Sequence, residues 1–432
     1  MRVLVTGAYG LIGSAVLAEL HRAGHDLVGA GRSIAAARRR FPYAQWLEAD
    51  FHRLTTAAAW RDLLGGIDAV VNCVGALQSS PRDDLQRIHV TAPLALFAAC
   101  EAAGVRRLIH ISAVGAGAHG PTEFATTKGE SDARLAASPI DWLILRPAVV
   151  LAPGLYGASA LLRGLAGLPW RTPLIAGESV VQIVSAEDLA RTVAWALGPG
   201  LAVRAIFDVM HPERHRLADL VAEQRRWLGF APQPIWSVPP WLARPVAAGA
   251  DLLGWLGWRS PARSTALAQL AAAPVGDPAG WIAATGIRPQ SLAEVLAARP
   301  ATLQDRWFAR LYWLKPVAIA CLSILFVATG LIALGPGWSE GMALLARARL
   351  PQPLAAAVIV SGAMLDIALG IALLVRRFAG ITLQAMFVLT LVYLAIATIL
   401  DPGLWADPLG RLTKTVPLML VMLFALAVMD ER

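Results

Sequence analysis

Two different periodicities divide the chain. Over roughly the first 150 residues, short apolar runs alternate with stretches in which apolar positions recur every three to four residues. The runs at 2–6 (RVLVT), 26–30 (DLVGA), 44–48 (AQWLE), 67–73 (IDAVVNC), 106–111 (RRLIHI) and 140–146 (IDWLILR) have the length of strands. The stretches 11–23, 53–64, 84–103 and 123–137 read as helices. Regular β-α alternation predicts an α/β doubly wound parallel sheet of the Rossmann type.

After residue 312 the pattern becomes nearly unbroken apolar sequence. Residues 316–334 are uncharged, 354–375 are interrupted only by Asp366, and 378–400 carry no charge. A fourth run, 415–429, is shorter, and a snorkelling Lys414 lengthens it to about 412–429. A helix needs roughly 20 apolar residues to cross the hydrocarbon core. The expectation is an all-α bundle of four transmembrane spans at 313–432. It follows a Rossmann domain with substrate loops at 1–235 and a Trp-rich linker or interfacial region at 236–312.

Composition agrees. Of 432 residues 56% are hydrophobic and 16% charged, against about 25% charged in ordinary soluble domains. Disorder and a wholly soluble globule are both poor readings of such a chain. The net charge of +8 comes with no nucleic-acid motif, so it reads as attraction to anionic lipid. Cys73, Cys100 and Cys321 are scattered, which argues against a cysteine zinc site or a disulfide framework; no metal is expected.

The opening MRVLVTGAYGLIG reads as a strand and turn, not a signal peptide. With four spans, Arg306, Arg310, Lys315, Arg376, Arg377 and Arg432 share one side, opposite Arg347, Arg349, Arg411 and Lys414. The expectation is a multi-pass protein of the inner (cytoplasmic) membrane, with both termini and the Rossmann domain cytoplasmic. Asp366, mid-span between Gly362 and Gly370, is a functional or helix-packing candidate. In the middle region, 215–228 reads as a helix, and Tyr156, Arg163, Trp170 and Arg171 are pocket candidates. The stretch 241–258 is either surface-lying helix at the bilayer or a hairpin packed on the soluble domain.

The chemistry concentrates at Gly7, Gly10 and Gly13, spaced GxxGxxG between the first strand and first helix. Such a turn lets a pyrophosphate approach the backbone and the helix N-terminus. The end of the second strand, VGAGRS, holds Arg32 where NAD sites place an acid. A guanidinium suits a 2′-phosphate, so NADP(H) is preferred and NAD(H) remains the alternative.

These motifs resemble the short-chain dehydrogenase/reductase family, in its atypical and extended branches, over residues 1–230. TGAYGLIG matches its TGxxGxxG. The resemblance implies cofactor contacts from Thr6, Gly7, Tyr9, Gly10, Leu11, Ile12 and Gly13. It implies others from Asp50 (EADF), from Asn72, Val74 and Gly75 (NCVG), from Ser112 (HISAVG), and from Lys128 and Pro147 (RPAVVLAPG). VQIVSAEDLA, 181–190, matches a further segment of the extended branch. The membrane part, with its SGAMLDIALGIALLVRR, resembles the DoxX-like family, small four-helix membrane domains associated with redox proteins.

One departure matters. The family's catalytic Tyr-x-x-x-Lys appears here as Phe124-Ala125-Thr126-Thr127-Lys128. Phe124 has no proton to give. Ser112 and Lys128 are left as the catalytic candidates, with Lys128 serving the nicotinamide ribose. Two functions stay open: an oxidoreductase acting on a membrane-proximal or lipid-soluble substrate such as a quinone, or a non-catalytic NADPH-binding sensor, assembly or scaffold subunit working with membrane redox proteins.

Overall fold

Seven parallel strands form one sheet in the computed structural model, which describes all residues except 81–82, 155–156, 199–203, 259, 261, 273–274, 409 and 430–432. Tyr156 and Arg432 lie outside the described residues. The strands are β1 (Arg2–Thr6), β2 (Asp26–Gly31), β3 (Gln45–Glu48), β4 (Ala69–Asn72), β5 (Arg107–Ile111), β6 (Asp141–Pro147) and an edge strand, Ala205–Val209. Their spatial order is Ala205–Val209, β6, β5, β4, β1, β2, β3. Thr6 stands level with Ala30 on β2 and with Asn72 on β4.

Both faces of the sheet are covered, so the strands read as continuous apolar runs. Val3 and Val5 pack with Val16, Leu17 and Leu20 of α1 (Leu11–Arg22), and Leu189 and Val193 on Ala186–Ala196 join the same core. Leu4, pointing the other way, packs with Leu96 and Phe97 on Ala92–Ala102. All of these are at most 4% exposed; truncating a fully buried Leu to Ala costs about 2–5 kcal/mol.

The six expected strands are present. The edge strand Ala205–Val209 was not read from sequence, because AIFDV is short and carries an acid. It pairs with β6 from Ala205 opposite Leu143 to Val209 opposite Pro147. The expected helix 84–103 is interrupted by a π-helical turn, Arg87–Thr91. The stretch 53–64 holds only Ala57–Trp60 and a 3₁₀ turn, Arg61–Leu64.

By contacts the chain forms two compact units, Met1–Asp251 with Ser260–Ala309, and Leu252–Arg259 with Arg310–Arg432. The Trp-rich stretch is therefore divided between them. Trp281, fully buried, donates from Nε1 to Thr192 Oγ1 at 3.0 Å in the first unit.

Among the described residues three helices are long and apolar enough to cross a membrane: Leu303–Leu334, which begins in the first unit, and Gln352–Leu373 and Arg376–Leu400 in the second. The first starts 13 residues before the expected 316. The fourth apolar helix, Thr415–Ala427, has 13 residues, about 20 Å at 1.5 Å each, short of a roughly 30 Å core. Four spans are therefore not established by length. A further helix, Trp338–Arg347, separates the first two. Leu322, Phe326, Leu373, Leu383, Met386, Met422 and Ala425 nevertheless form one core contributed by all four apolar helices. Gly370 permits a close approach: a Cβ there would meet Val327 Cγ2 at 2.7 Å and the Ser323 carbonyl at 2.9 Å. Ser323 Oγ donates to the Gly370 carbonyl at 2.7 Å.

Candidate functional site

In an open α/β sheet a crevice opens where successive connections run to opposite sides. Here that point lies between the carboxyl ends of β1 and β4. Gly7 turns there with φ +65°, and a Cβ on it would sit 3.0 Å from the Cys73 carbonyl. A Cβ on Gly13 would collide with the Gly7 carbonyl, so only glycine lets α1 start this close to β1. Gly10 caps α1 with extended backbone and no side-chain bond. The first-turn N–H groups, including those of Leu11 and Ile12, have no side-chain cap, which suits an anion.

The ring of Tyr9 packs over Gly31, and its hydroxyl accepts from the Ser33 N–H at 3.4 Å. Beside it Arg32 Nη1 lies 2.9 Å from Asp83 Oδ1. Asp50 Oδ1 accepts from the His52 N–H at 3.1 Å, closing the turn after β3.

Thr6 and Asn72 are fully buried, beneath this surface. Thr6 Oγ1 donates to Asn72 Oδ1 at 2.7 Å, and the Val74 N–H donates to the same oxygen at 3.3 Å. Asn72 therefore shapes the loop that carries Val74 and Gly75. Its Nδ2 meets His110 Nδ1 at 3.1 Å; the amide is the donor, which leaves the proton on Nε2. Burial holds His110 well below the usual imidazole range, so it is neutral, and its 3.9 Å approach to Asp132 Oδ1 is not an ion pair.

Phe124 and Lys128 lie one turn apart on Glu123–Ala136, which Thr122 caps by accepting from the Ala125 N–H at 3.2 Å. Phe124 is half-buried and meets the His89 ring edge-on at 5.5 Å. Lys128 is 3% exposed, and its Nζ donates to the Ile111 carbonyl at 2.8 Å. Burial pulls the ammonium down to about 8, with Asp132 and Cys73 opposing. Gly75 faces it: a Cβ there would come within 3.5 Å of Lys128 Nζ.

Ser112 Oγ donates to Asp132 Oδ2 at 2.9 Å, and the same oxygen takes Arg146 Nε at 2.9 Å and Nη2 at 2.8 Å. Burial pushes the Asp132 carboxyl up, while Arg146 and Ser112 oppose the shift. The double guanidinium contact argues that it stays ionised. Pro147, buried at the end of β6, takes the Val114 N–H on its carbonyl at 3.1 Å. Burial pushes the Cys73 thiol up to about 12, so it is protonated at neutral pH.

Three residues that build the site were not singled out from the sequence: His89, His110 and Asp132. Asp132 had a signal, four residues after Lys128 on one helix face. The histidines had none. His89 sits in the π-helical turn, 1% exposed. Its Nε2 accepts from the Ala76 N–H at 3.2 Å, so Nδ1 carries the proton toward Thr127 Oγ1 at 2.9 Å. Thr127 in turn donates to the Glu123 carbonyl at 2.7 Å. Both imidazole nitrogens are committed to holding the loop after β4.

Arg163 pairs with Asp305 at 2.7 Å, and Trp170 and Arg171 are exposed. Asp366, 4% exposed, accepts from Tyr393 Oη at 3.4 Å. Among the described residues no cluster of His, Cys, Asp or Glu is placed to hold a metal.

Comparison with known proteins matches residues 3–136 to the NAD dependent epimerase/dehydratase family and residues 323–423 to the DoxX-like family. Epimerase family proteins of Mycobacterium bovis and Mycobacterium tuberculosis are each 30% identical over 216 residues, 45% of this chain and 68% of theirs. Among solved structures, a nucleoside-diphosphate-sugar epimerase of Staphylococcus aureus superposes with TM-score 0.54 at 16% identity, over 68% of this chain and 99% of that one. A dTDP-glucose 4,6-dehydratase of Streptomyces venezuelae, solved with NAD and TYD bound, gives 0.52 at 20% identity, over 72% and 97%. At such identities these two show the fold alone.

Proposed function

The chain belongs to the NAD-dependent epimerase/dehydratase family and carries a DoxX-like domain behind that part; from this premise we propose a membrane-anchored oxidoreductase that takes reducing equivalents from NADP(H) to a lipid-soluble acceptor of the quinone class. The Gly7–Gly13 turn and the uncapped start of α1 fit a dinucleotide pyrophosphate. Arg32 would take a 2′-phosphate, Tyr9 and Asp50 would flank the adenosine, and Lys128 with the Gly75 loop would hold the nicotinamide ribose. The bound cofactor supplies a hydride.

One observation carries the choice of acceptor. No described side chain stands in for the missing tyrosine hydroxyl: Phe124 has none, the Ser112 proton goes to Asp132, and both His89 nitrogens are engaged. A carbonyl substrate needs that proton from a positioned acid. A quinone can take its protons from water. The same observation favours a second reading, a non-catalytic NADPH-binding sensor, assembly or scaffold subunit serving membrane redox proteins.

In this reading Thr415–Ala427 completes a four-span bundle, with both termini and the nucleotide domain on the cytoplasmic side of the inner membrane. The test is NADPH oxidation by full-length protein in liposomes with and without a quinone. Quinone-dependent turnover supports the oxidoreductase. Tight NADPH binding without turnover leaves the sensor.

A further inference from the structure

The helix Pro240–Trp255 has two apolar sides. Ala243, Ala247 and Ala250 are buried, at spacings of four and three. On the opposite side Trp241, Leu252 and Trp255 are 71%, 64% and 65% exposed. At 3.6 residues per turn, Trp241, Ala248, Leu252 and Trp255 fall on one stripe. Three large apolar side chains in a row on open surface call for an occupant.

The last turn of this helix, from Leu252 on, and residues 256–258 after it belong to the second unit. Trp258 Nε1 donates to the Leu374 carbonyl at 2.6 Å, and the Arg376 N–H donates to the Leu256 carbonyl at 3.0 Å. The Arg376 guanidinium lies over the Trp258 ring, 5.6 Å from its centroid. Residues 374–375 join the helices Gln352–Leu373 and Arg376–Leu400, of 22 and 25 residues. At 1.5 Å per residue these are about 33 and 37 Å long, close to the roughly 30 Å hydrocarbon thickness. The junction therefore lies at the bilayer boundary, and residues 256–258 with it.

We propose that the helix Pro240–Trp255 lies in the bilayer surface, with Trp241, Ala248, Leu252 and Trp255 sunk to the headgroup–acyl boundary. The occupant of the stripe is anionic lipid. Trp rings favour that depth, and the exposed Arg244 on the same helix supplies a cation for the headgroups. The proposal does not depend on the cofactor reading.

The test uses the full chain in lipid nanodiscs containing phosphatidylglycerol. Cys321 is exchanged for Ser, and Ala248→Cys carries a polarity-sensitive fluorophore; protein without the Ala248 exchange corrects for labelling of Cys73. The expected result is blue-shifted emission that loses intensity to lipid bearing a shallow nitroxide, as burial at the acyl boundary implies, and resists soluble iodide. Quenching by iodide but not by nitroxide lipid would place the stripe in water and overturn the proposal. Protection from both quenchers would mean that protein covers it, which overturns it equally.

Discussion

Ser112 and Asp132 are joined by a buried hydrogen bond of 2.9 Å in which the serine hydroxyl is the donor. A serine has one hydroxyl proton. While that proton is directed at a carboxylate already clamped by Arg146, Ser112 cannot also donate to a substrate oxygen. The arrangement reads first as structural: a buried acid satisfied by one hydroxyl and one guanidinium, linking β5, Glu123–Ala136 and β6.

Asp132→Asn should therefore destabilise the nucleotide unit. It leaves Arg146, 25% exposed, and buried Lys128 without their counter-charge. Breaking such a pair costs about 3–5 kcal/mol, visible in denaturant unfolding. A loss below about 1 kcal/mol would mean the pair is dispensable. Arg146→Gln added to Asp132→Asn should recover part of the loss.

Lys128 should make cofactor affinity fall with rising pH. Its ammonium, held at about 8, gives ribose hydroxyls a charge-assisted bond that the neutral amine does not, so NADPH binding should be flat below pH 7 and weaken above about 8. Lys128→Met should bind more weakly and show no inflection. The sign for stability is opposite: a lysine whose folded value lies below its unfolded 10.5 costs stability fully below about 8 and none above 10.5. Lys128→Met should then gain on the order of 1–3 kcal/mol at pH 7, shrinking as the pH rises. Calorimetry and pH-dependent melting read the two effects separately.

Arg32 should give NADPH preference over NADH of about tenfold, the value of one charge-assisted phosphate contact of about 1.5–3 kcal/mol. Arg32→Ala should abolish the preference. Asp83→Asn should strengthen NADPH binding, because the guanidinium no longer leaves a carboxylate to meet the phosphate. Equal affinities for the two cofactors in the native protein would sink the assignment.

Phe124→Tyr restores a hydroxyl one turn before Lys128. Weak reduction of generic aldehydes should appear, with NADPH affinity unchanged, since general acid catalysis typically contributes about 10²–10⁴-fold. If instead the native protein already reduces carbonyls, and Ser112→Ala abolishes this, another proton donor operates and the quinone reading loses its basis.

Four spans with Arg376 and Arg377 on the cytoplasmic side predict that an engineered cysteine at 380 is labelled from the cytoplasmic face only. One at 345, beyond the first span, should be labelled from outside only. Labelling of position 380 from outside would refute the arrangement.

Local signals in the sequence were enough for the β-α alternation, the glycine turn, the position of Phe124 relative to Lys128, and three of the membrane helices. Each depends on spacing along one element or on unbroken apolar length, and neither needs distant residues. The tertiary structure decided the rest. The edge strand Ala205–Val209 exists because β6 offers it a partner some 60 residues earlier in the chain. Ser112 loses its free proton because Asp132 comes from a different element, and His89 is neutral because burial and the Ala76 N–H make it so. Whether a polar side chain is a reagent or a strut depends on which partner its hydrogen-bonding atoms meet. Those partners lie 13 to 38 residues away in sequence, beyond the reach of any helical or strand period.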